Sequence, residues 1–202
     1  MAHDAFQTPK FENKILRRIR KSLKISPETH IIVYTGHLYK EKNVELLIEA
    51  MKYNNNKKII LLIIGDIKND IKRIKSLVDM YNLTNVIFIG FVPPYLVLYY
   101  LKLAELGIIT VSYESPLKLF EYMGSNLPII TVDSPSIREI IINNYNGIII
   151  PNDPQKLAEK IQFIIDNPEF AKKISSNAYK IAINKYTYKI RAQNILKFIN
   201  SI

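Results

Sequence analysis

Six short apolar runs, each followed by a helical pattern, constrain the fold of this chain more than any other feature. The runs are rich in isoleucine and nearly continuous rather than alternating, which is typical of strands buried on both faces. They occupy residues 31–36, 58–66, 85–92, 105–110, 127–132 and 146–151. A strand followed by a helix, repeated, predicts an α/β fold: a doubly wound parallel six-stranded sheet with helices on both faces.

Helical patterns fill the segments between these runs and the whole C-terminal tail. The predicted helices lie at 43–51, 70–82, 94–104, 116–124 and 134–144. The tail contains a helix at 153–165 and a long helical segment from Pro168 to Ile199, with an interruption expected near Thr187. The tail therefore adds C-terminal helices to the sheet domain.

The composition excludes several kinds of site. The chain has no cysteine, so disulfides and thiolate metal sites are ruled out. His3, His30 and His37 show no metal-ligand spacing, and no metal site is expected. No apolar run reaches the roughly 18 residues that a membrane span needs, and the N-terminus lacks the pattern of a secretion signal. A cytoplasmic location is the default expectation.

The charge balance points to anionic partners without choosing among them. The formal net charge is +10, and much of the surplus lies in "KILRRIRKSLK" at 14–24. Its apolar residues recur at roughly helical spacing. The segment can be a solvated helix that packs an apolar stripe on the domain, or a helix that faces a membrane surface or a phosphate. RNA-binding modules usually interleave aromatic residues and glycines with the basic ones, and neither occurs here, so no nucleic acid partner is expected.

The turns that follow the first four runs are the place to look for a ligand site, because ligands of such sheets bind beyond the carboxyl ends of the strands. These turns read "TGHLYKEKN", "GD", "GFVPP" and "VSYESPLK". Glycine lets the backbone approach a ligand closely, and lysine beside a helix N-terminus suits phosphate. Lys42 directly precedes a helix predicted to start near Asn43, although it could also be an ordinary exposed loop lysine. Neither a P-loop pattern nor Gly-x-Gly-x-x-Gly is present.

The stretch "SPLKLFEYM" places a cation and a carboxylate at the start of a short apolar helix. Ser115 and Pro116 suit the N-cap and first helical position. Lys118 then lies at the positive end of the helix dipole, a conflict that a bound anion would relieve. Glu121, one turn further, could accept hydrogen bonds from two vicinal hydroxyls, as on a ribose. The alternative is an ordinary Lys118–Glu121 surface pair, which contributes little.

From about His30 to Ile199 the chain resembles the C-terminal, donor-binding half of the family 4 (group 1) retaining glycosyltransferases, which have the GT-B fold of two Rossmann-like domains. Five stretches carry the resemblance, in the order of the family. They are "YTGHLYKEKNVELLIEAM", "LLIIGD", "VIFIGFVP", "SPLKLFEYMGSNLPIITVDSPSIREII" and "NGIIIPNDPQKLAEKI". Each stretch by itself is weak evidence for the family, but five stretches in register over most of the chain are specific.

The resemblance implies roles for individual residues. Lys42 would contact the donor diphosphate and Glu121 the ribose hydroxyls, and these two are the expected catalytic residues. The backbone at Leu117 and Lys118 would meet phosphate at the helix N-terminus. The base would be flanked by Phe91, Val92 and Pro93, and the remaining donor-binding positions would be Gly36, His37, Gly65, Glu114 and Pro116.

Two positions depart from the family pattern. His37 stands where members often have arginine, and a neutral histidine is a weaker phosphate ligand. Six residues lie between Glu114 and Glu121, where the family often has seven, so Tyr113 aligns with the first glutamate. That glutamate is the one expected near the donor sugar. The departure therefore bears on sugar handling and leaves ribose binding intact.

The resemblance also implies a domain organisation and partners. Residues 1–29 would be a linker-derived segment with the basic helix, and 30–202 the nucleotide-sugar-binding domain. The acceptor-binding N-terminal domain of the family would then be absent from this chain, which would be either an excised half of a longer enzyme or a naturally short protein. The donor is a nucleotide-diphosphate sugar, no cofactor is expected, and peripheral membrane association stays open. Alternatives are a non-enzymatic nucleotide-binding module or partner subunit, a nucleotide-sugar epimerase relative, and an RNA-binding domain.

Overall fold

The six predicted strands are all present, and they form one parallel sheet. A computed structural model of the chain describes residues 11–54, 56–65, 70–111 and 117–200. The strands are β1 (His30–Thr35), β2 (Ile59–Ile64), β3 (Val86–Gly90), β4 (Leu106–Ile109), β5 (Ile129–Val132) and β6 (Ile148–Ile150). In the described part of the chain they lie in the order β3-β2-β1-β4-β5-β6. This is the order of a doubly wound dinucleotide-binding fold, so the predicted fold class is confirmed.

Helices cover both faces of the sheet, which explains why the strands are apolar throughout. The helices are α1 (Asn13–Ser22), α2 (Val44–Tyr53), α3 (Ile71–Met80), α4 (Pro94–Leu103), α5 (Leu117–Gly124), α6 (Pro135–Arg138), α7 (Pro154–Asp166), α8 (Pro168–Lys185) and α9 (Tyr188–Ile199). One buried cluster joins the sheet to α2, α3 and α7, and a second joins it to α4 and α5. The basic helix α1 packs against α4, with Ile19 buried.

One predicted helix is much shorter than expected. The helix predicted at 134–144 ends at Arg138. The side chain of Asn146 accepts from Ile142 N at 2.6 Å and donates to Ile140 O at 2.9 Å, and Asn144 has φ +62°. Such local side-chain hydrogen bonds give the backbone an alternative to helical pairing.

The interruption predicted near Thr187 is confirmed. α8 ends at Lys185, and Thr187 caps α9, since its hydroxyl accepts from Ile190 N at 3.3 Å. The structure describes all of α9, and none of its residues is buried. Its large exposed apolar side chains are Tyr188, Ile195, Leu196, Phe198 and Ile199.

The strand order reverses between β1 and β4, and the two strands diverge there. β1 pairs with β2 along all six of its residues. With β4 its register contains only Ile32↔Leu106 and Val33↔Gly107. The region beside the carboxyl end of β1, called the crevice below, is the topological switch point where ligands of such sheets bind.

Candidate functional site

Glycines bring the turns after β1 and β2 into direct contact. Gly36 N donates to Ile64 O at 2.9 Å, and Gly65 N donates to Gly90 O at 3.0 Å, so hydrogen bonding continues past the strand ends. A Cβ atom at Gly65 would lie 1.9 Å from Gly36 O, which no side chain can tolerate. Gly36 itself has φ +128°, a conformation that favours glycine. Both predicted glycines thus form one tightly packed rim.

The turn after β1 is held to the domain by a hydrogen bond and a buried leucine, while its ring side chains are exposed. Tyr34 Oη donates to His37 O at 2.8 Å, and Leu38 is buried. The rings of His37 and Tyr39 stack at 4.8 Å between centroids, and both are exposed. His37 is therefore placed at the mouth of the site, where it is accessible to a ligand.

Lys42 lies on a 3-10 turn that is tied to the end of β4. The turn spans Lys40–Lys42, and Asn43 caps α2 in a left-handed conformation with φ +49°. Thr110 Oγ1, one residue after β4, donates to Lys42 O. The predicted position of Lys42, directly before the helix, is confirmed. The Thr110 contact joins the end of β4 to the turn that leads into α2.

Lys118 crosses the end of β1. Its Nζ lies 4.1 Å from the centroid of the buried Tyr34 ring and 3.0 Å from the place where a Cβ of Gly36 would be. The ammonium therefore occupies space that only a glycine at position 36 leaves open. It belongs to the first turn of α5, as predicted, and lies at the switch point.

Glu121 lies one turn further along α5 and is partly buried. Burial raises the pKa of its carboxyl, and the nearby Lys118 ammonium offsets part of that shift. Within the described part of the chain the carboxylate makes no hydrogen bond to protein. A partly desolvated carboxylate beside a cation, at the edge of a crevice, can accept hydrogen bonds from ligand hydroxyls.

The segment after β3 lies at the far side of the site. Phe91 is 73% exposed, Val92 packs on the second buried cluster, and Pro93 directly precedes α4. β3 is two strands from β1, so roughly 10 Å separates this segment from the turn of Gly36. Tyr95, which the sequence did not single out, is 61% exposed near the same loop.

Two predicted positions cannot be placed. Glu114 and Pro116 lie outside the described residues, together with the proposed N-cap Ser115 and with Tyr113. Leu117 is the first described residue of α5, and it is exposed. Among the residues that are described, no group of three or more His, Asp or Glu side chains could hold a metal ion.

Sequence reasoning missed a buried group under the site. Tyr122 Oη accepts from Thr35 N at 2.9 Å and lies 3.1 Å from Thr35 Oγ1. Burial raises the pKa of Tyr122 far above its ordinary value, so the hydroxyl stays protonated. A tyrosine at a buried helical position is itself a signal, because its hydroxyl needs a partner, but the sequence does not say which one.

The sheet order and the basic, glycine-rich strand ends define a Rossmann-like domain of the kind that GT-B glycosyltransferases contain. Residues 17–181 match the family described as "Glycosyl transferases group 1". This match covers most of the chain, and the chain therefore belongs to that family.

Relatives and solved structures agree with this assignment. Over 183 residues the chain is 26% identical to the uncharacterized glycosyltransferase MJ1607 of Methanocaldococcus jannaschii, covering 88% of this chain and 46% of that protein. Anabaena Alr3699/HepE, solved in complex with UDP and glucose, superposes with a TM-score of 0.88 at 20% identity, covering 100% of this chain and 56% of that one. The C-terminal domain of a group 1 glycosyl transferase, LpcC of Francisella tularensis, superposes with a TM-score of 0.75 at 22% identity. This match covers 92% of this chain and 99% of that one.

The chain thus spans about half the length of MJ1607 and HepE. Within the part of the chain that the structure describes, no helix is both long and apolar enough to cross a membrane.

Proposed function

We propose that the chain is the donor-nucleotide-sugar-binding half of a retaining glycosyltransferase, which transfers a sugar from a nucleotide-diphosphate donor to an acceptor hydroxyl. In this proposal residues 30–202 are the donor-binding domain and 1–29 an N-terminal segment. One observation carries it above the others: Lys118 crosses the end of β1 over Gly36, with Glu121 one turn behind. A cation and a carboxylate then meet the switch-point crevice, as a diphosphate joined to a ribose requires.

The remaining predicted residues take roles that their positions support. Lys42 and the backbone N–H groups at the start of α5 would hold the diphosphate, and Glu121 the ribose hydroxyls. Phe91, Val92 and Pro93 would flank the base from the far side of the site. Catalysis would rest mainly on stabilising the departing diphosphate, the charge that develops in the transition state.

A titration of the chain with UDP, GDP, CDP and ADP tests the nucleotide site directly. We expect dissociation constants of about 0.1 to 1 mM, because about 4 to 5.5 kcal/mol is what one side of a cleft can supply. Glu121→Gln keeps the shape of the side chain and removes its charge. Hydrogen bonds to a charged group contribute about 1.5 to 3 kcal/mol, so this variant should bind at least about tenfold more weakly.

Glu159→Gln is the matched control, since Glu159 pairs with Lys156 on the exposed side of α7. It should bind as the parent protein does. Absence of binding by the parent at several millimolar of all four nucleotides would contradict the proposal. A non-enzymatic partner subunit would then be the better interpretation, since the chain spans only about half of MJ1607.

Retention and acceptor binding are proposed from the family resemblance. The acceptor side of the cleft would come from polypeptide outside this chain, because active sites of two-domain folds lie between the domains. If the chain is complemented by such a half, the anomeric proton coupling of the product, measured by NMR, should match that of the donor. An inverted product would contradict retention while leaving donor binding intact.

Peripheral association with the cytoplasmic face of a membrane is proposed from the charge of α1. Lys14, Arg17, Arg18 and Lys21 are exposed, and the helix has no acidic residue. Anionic lipids of the cytoplasmic leaflet attract such segments by about 1 kcal/mol per basic residue. Co-sedimentation with vesicles that contain phosphatidylserine, and none with phosphatidylcholine alone, is the expected result. Steeply salt-dependent RNA binding without vesicle binding would favour the RNA alternative instead.

A further inference from the structure

The Tyr122 side chain runs from α5 across β4 to the end of β1. The residue is fully buried, and its hydroxyl reaches the amide and the hydroxyl of Thr35, 87 positions earlier in the chain. The bond therefore joins the neighbour of Glu121 to the neighbour of Gly36.

A glycine in β4 makes this crossing possible. A Cβ atom at Gly107 would lie 2.6 and 2.8 Å from two ring carbons of Tyr122. Real Cβ atoms do not approach this closely, so any side chain at position 107 would push the ring away. Glycine in the interior of a strand weakens that strand and often marks a place where another group passes close to the backbone. At Gly107 that group is the Tyr122 ring.

The Tyr122 hydroxyl also replaces β4 as the hydrogen-bond partner of β1 at the switch point. Residues two apart in a strand direct their N–H groups to the same side, so the amide of Thr35 faces β4, as that of Val33 does. The β1–β4 ladder stops at Val33↔Gly107, and Thr35 N donates to Tyr122 Oη instead. The crevice between the two strands thus has a protein hydroxyl at its floor.

We propose that Tyr122 is a positioning residue of the nucleotide site, which fixes Lys118 and Glu121 relative to the turn of Gly36. This inference rests on the proposed function. Tyr122 does not touch the ligand; it acts through α5. Without its hydroxyl bond, α5 loses its hydrogen bond to the end of β1 and can shift slightly along the crevice. Glu121 then loses its alignment with the ribose hydroxyls, while the fold, which depends on the buried ring, is kept.

Tyr122→Phe tests the inference because it removes only the hydroxyl. Dissociation constants are measured by calorimetry for UDP and 2′-deoxy-UDP, and for GDP and 2′-deoxy-GDP. In the parent protein, loss of one hydroxyl that bonds to a carboxylate should weaken binding at least about tenfold. In Tyr122→Phe we expect ribonucleotide binding to weaken about five- to tenfold and the ribo-to-deoxy ratio to fall to about threefold or less.

Tyr99→Phe is the matched control. Tyr99 is buried on α4, and its hydroxyl likewise accepts from a backbone amide, that of Glu12, at 3.2 Å. It should lose a similar amount of thermal stability, yet keep the parent affinity and the parent ribo-to-deoxy ratio. A purely structural role of Tyr122 would make the two variants behave alike.

Three results would overturn the inference: a parent-like ribo-to-deoxy ratio in Tyr122→Phe, an equal loss of that ratio in Tyr99→Phe, or a parent-like ratio in Gly107→Ala. The added methyl of Gly107→Ala pushes the Tyr122 ring away and breaks both contacts of its hydroxyl with Thr35, so this variant decides the question if Tyr122→Phe does not fold. A parent protein that binds none of the four nucleotides removes the proposed function itself. If instead the parent binds ribonucleotides and Tyr122→Phe binds them equally well, only the inference about Tyr122 fails.

Discussion

At the scale of single residues, the rim of the site depends on positions that have no room for a side chain. Gly65→Ala should destabilise the protein by about 2 to 4 kcal/mol, because the added methyl would overlap the backbone of Gly36, which cannot move aside. Urea unfolding measures the loss. Gly147→Ala is the comparison, since its nearest neighbour, 3.0 Å away, is a side-chain carbon of Ile141 that can shift. It should cost about 1 kcal/mol or less. Equal losses would contradict the close packing of the two turns.

The ionised Glu121 carboxylate should lower the stability of the folded protein although it is needed for nucleotide binding. Its pKa is raised by burial, so the ionised form is disfavoured in the folded state. The group therefore favours folding below its unfolded pKa, and this contribution is lost as the pH rises through the folded pKa. Glu121→Gln should raise the melting temperature at pH 7 to 8, and the gain should shrink as the pH falls toward 4. Thermal melts across this range check the sign, and a lower melting temperature at pH 7 would contradict it.

The sequence indicated some of these residues and could not indicate others. Gly36, Lys118 and Glu121 follow from local rules, namely glycine at a strand end and a cation in the first turn of a helix. Tyr122 and Thr35 do not, because their contact joins a helix to a strand 87 positions away and depends on how α5 lies over the sheet. Long-range contacts of this kind leave no periodic pattern in a single sequence.

At the scale of elements, hydrophobic patterning was sufficient for the strands and most helices. Five strands lie within their predicted runs and β1 begins one residue before its run, at His30, because burial on both faces requires an unbroken apolar segment. Patterning was insufficient for α6, where "IREIII" continues an apolar pattern while asparagine side chains take up the backbone groups. Turn chemistry of single residues outweighed periodicity there.

The start of α7 offers a test of capping in this fold. The carboxylate of Asp153 accepts from Gln155 N at 2.8 Å and from Lys156 N at 3.1 Å. Asp153→Ala should lower the free energy of unfolding by about 1 kcal/mol. Asp153→Asn keeps an acceptor in place and should cost only a few tenths of that. Chemical denaturation of both variants checks the prediction, and an Ala variant as stable as the Asn variant would refute it.

At the scale of the whole molecule, α9 is an appendage rather than a part of the core. Removal of residues 188–202 eliminates a helix without any buried residue. The melting temperature should therefore change by about 2 °C or less. Self-association, measured by light scattering, should decrease, because large exposed apolar side chains are removed. Truncation after Asn177 also removes Ala178 and Ala182 from the second cluster, and it should abolish cooperative unfolding. A large loss of stability in the shorter deletion would contradict the peripheral position of α9.

The pairing of β1 with β4 also delays completion of this part of the sheet while the chain is being synthesised. Ile32 meets Leu106, 74 residues later, so one edge of β1 stays without its neighbour until that residue has left the ribosome. At about 5 to 20 residues per second, this interval lasts roughly 4 to 15 seconds. During it, an apolar strand edge is open to wrong partners. The site at the switch point thus cannot form until α5 has been made, whereas β5 and β6 emerge later still, and a ligand that binds there reports that translation has passed α5.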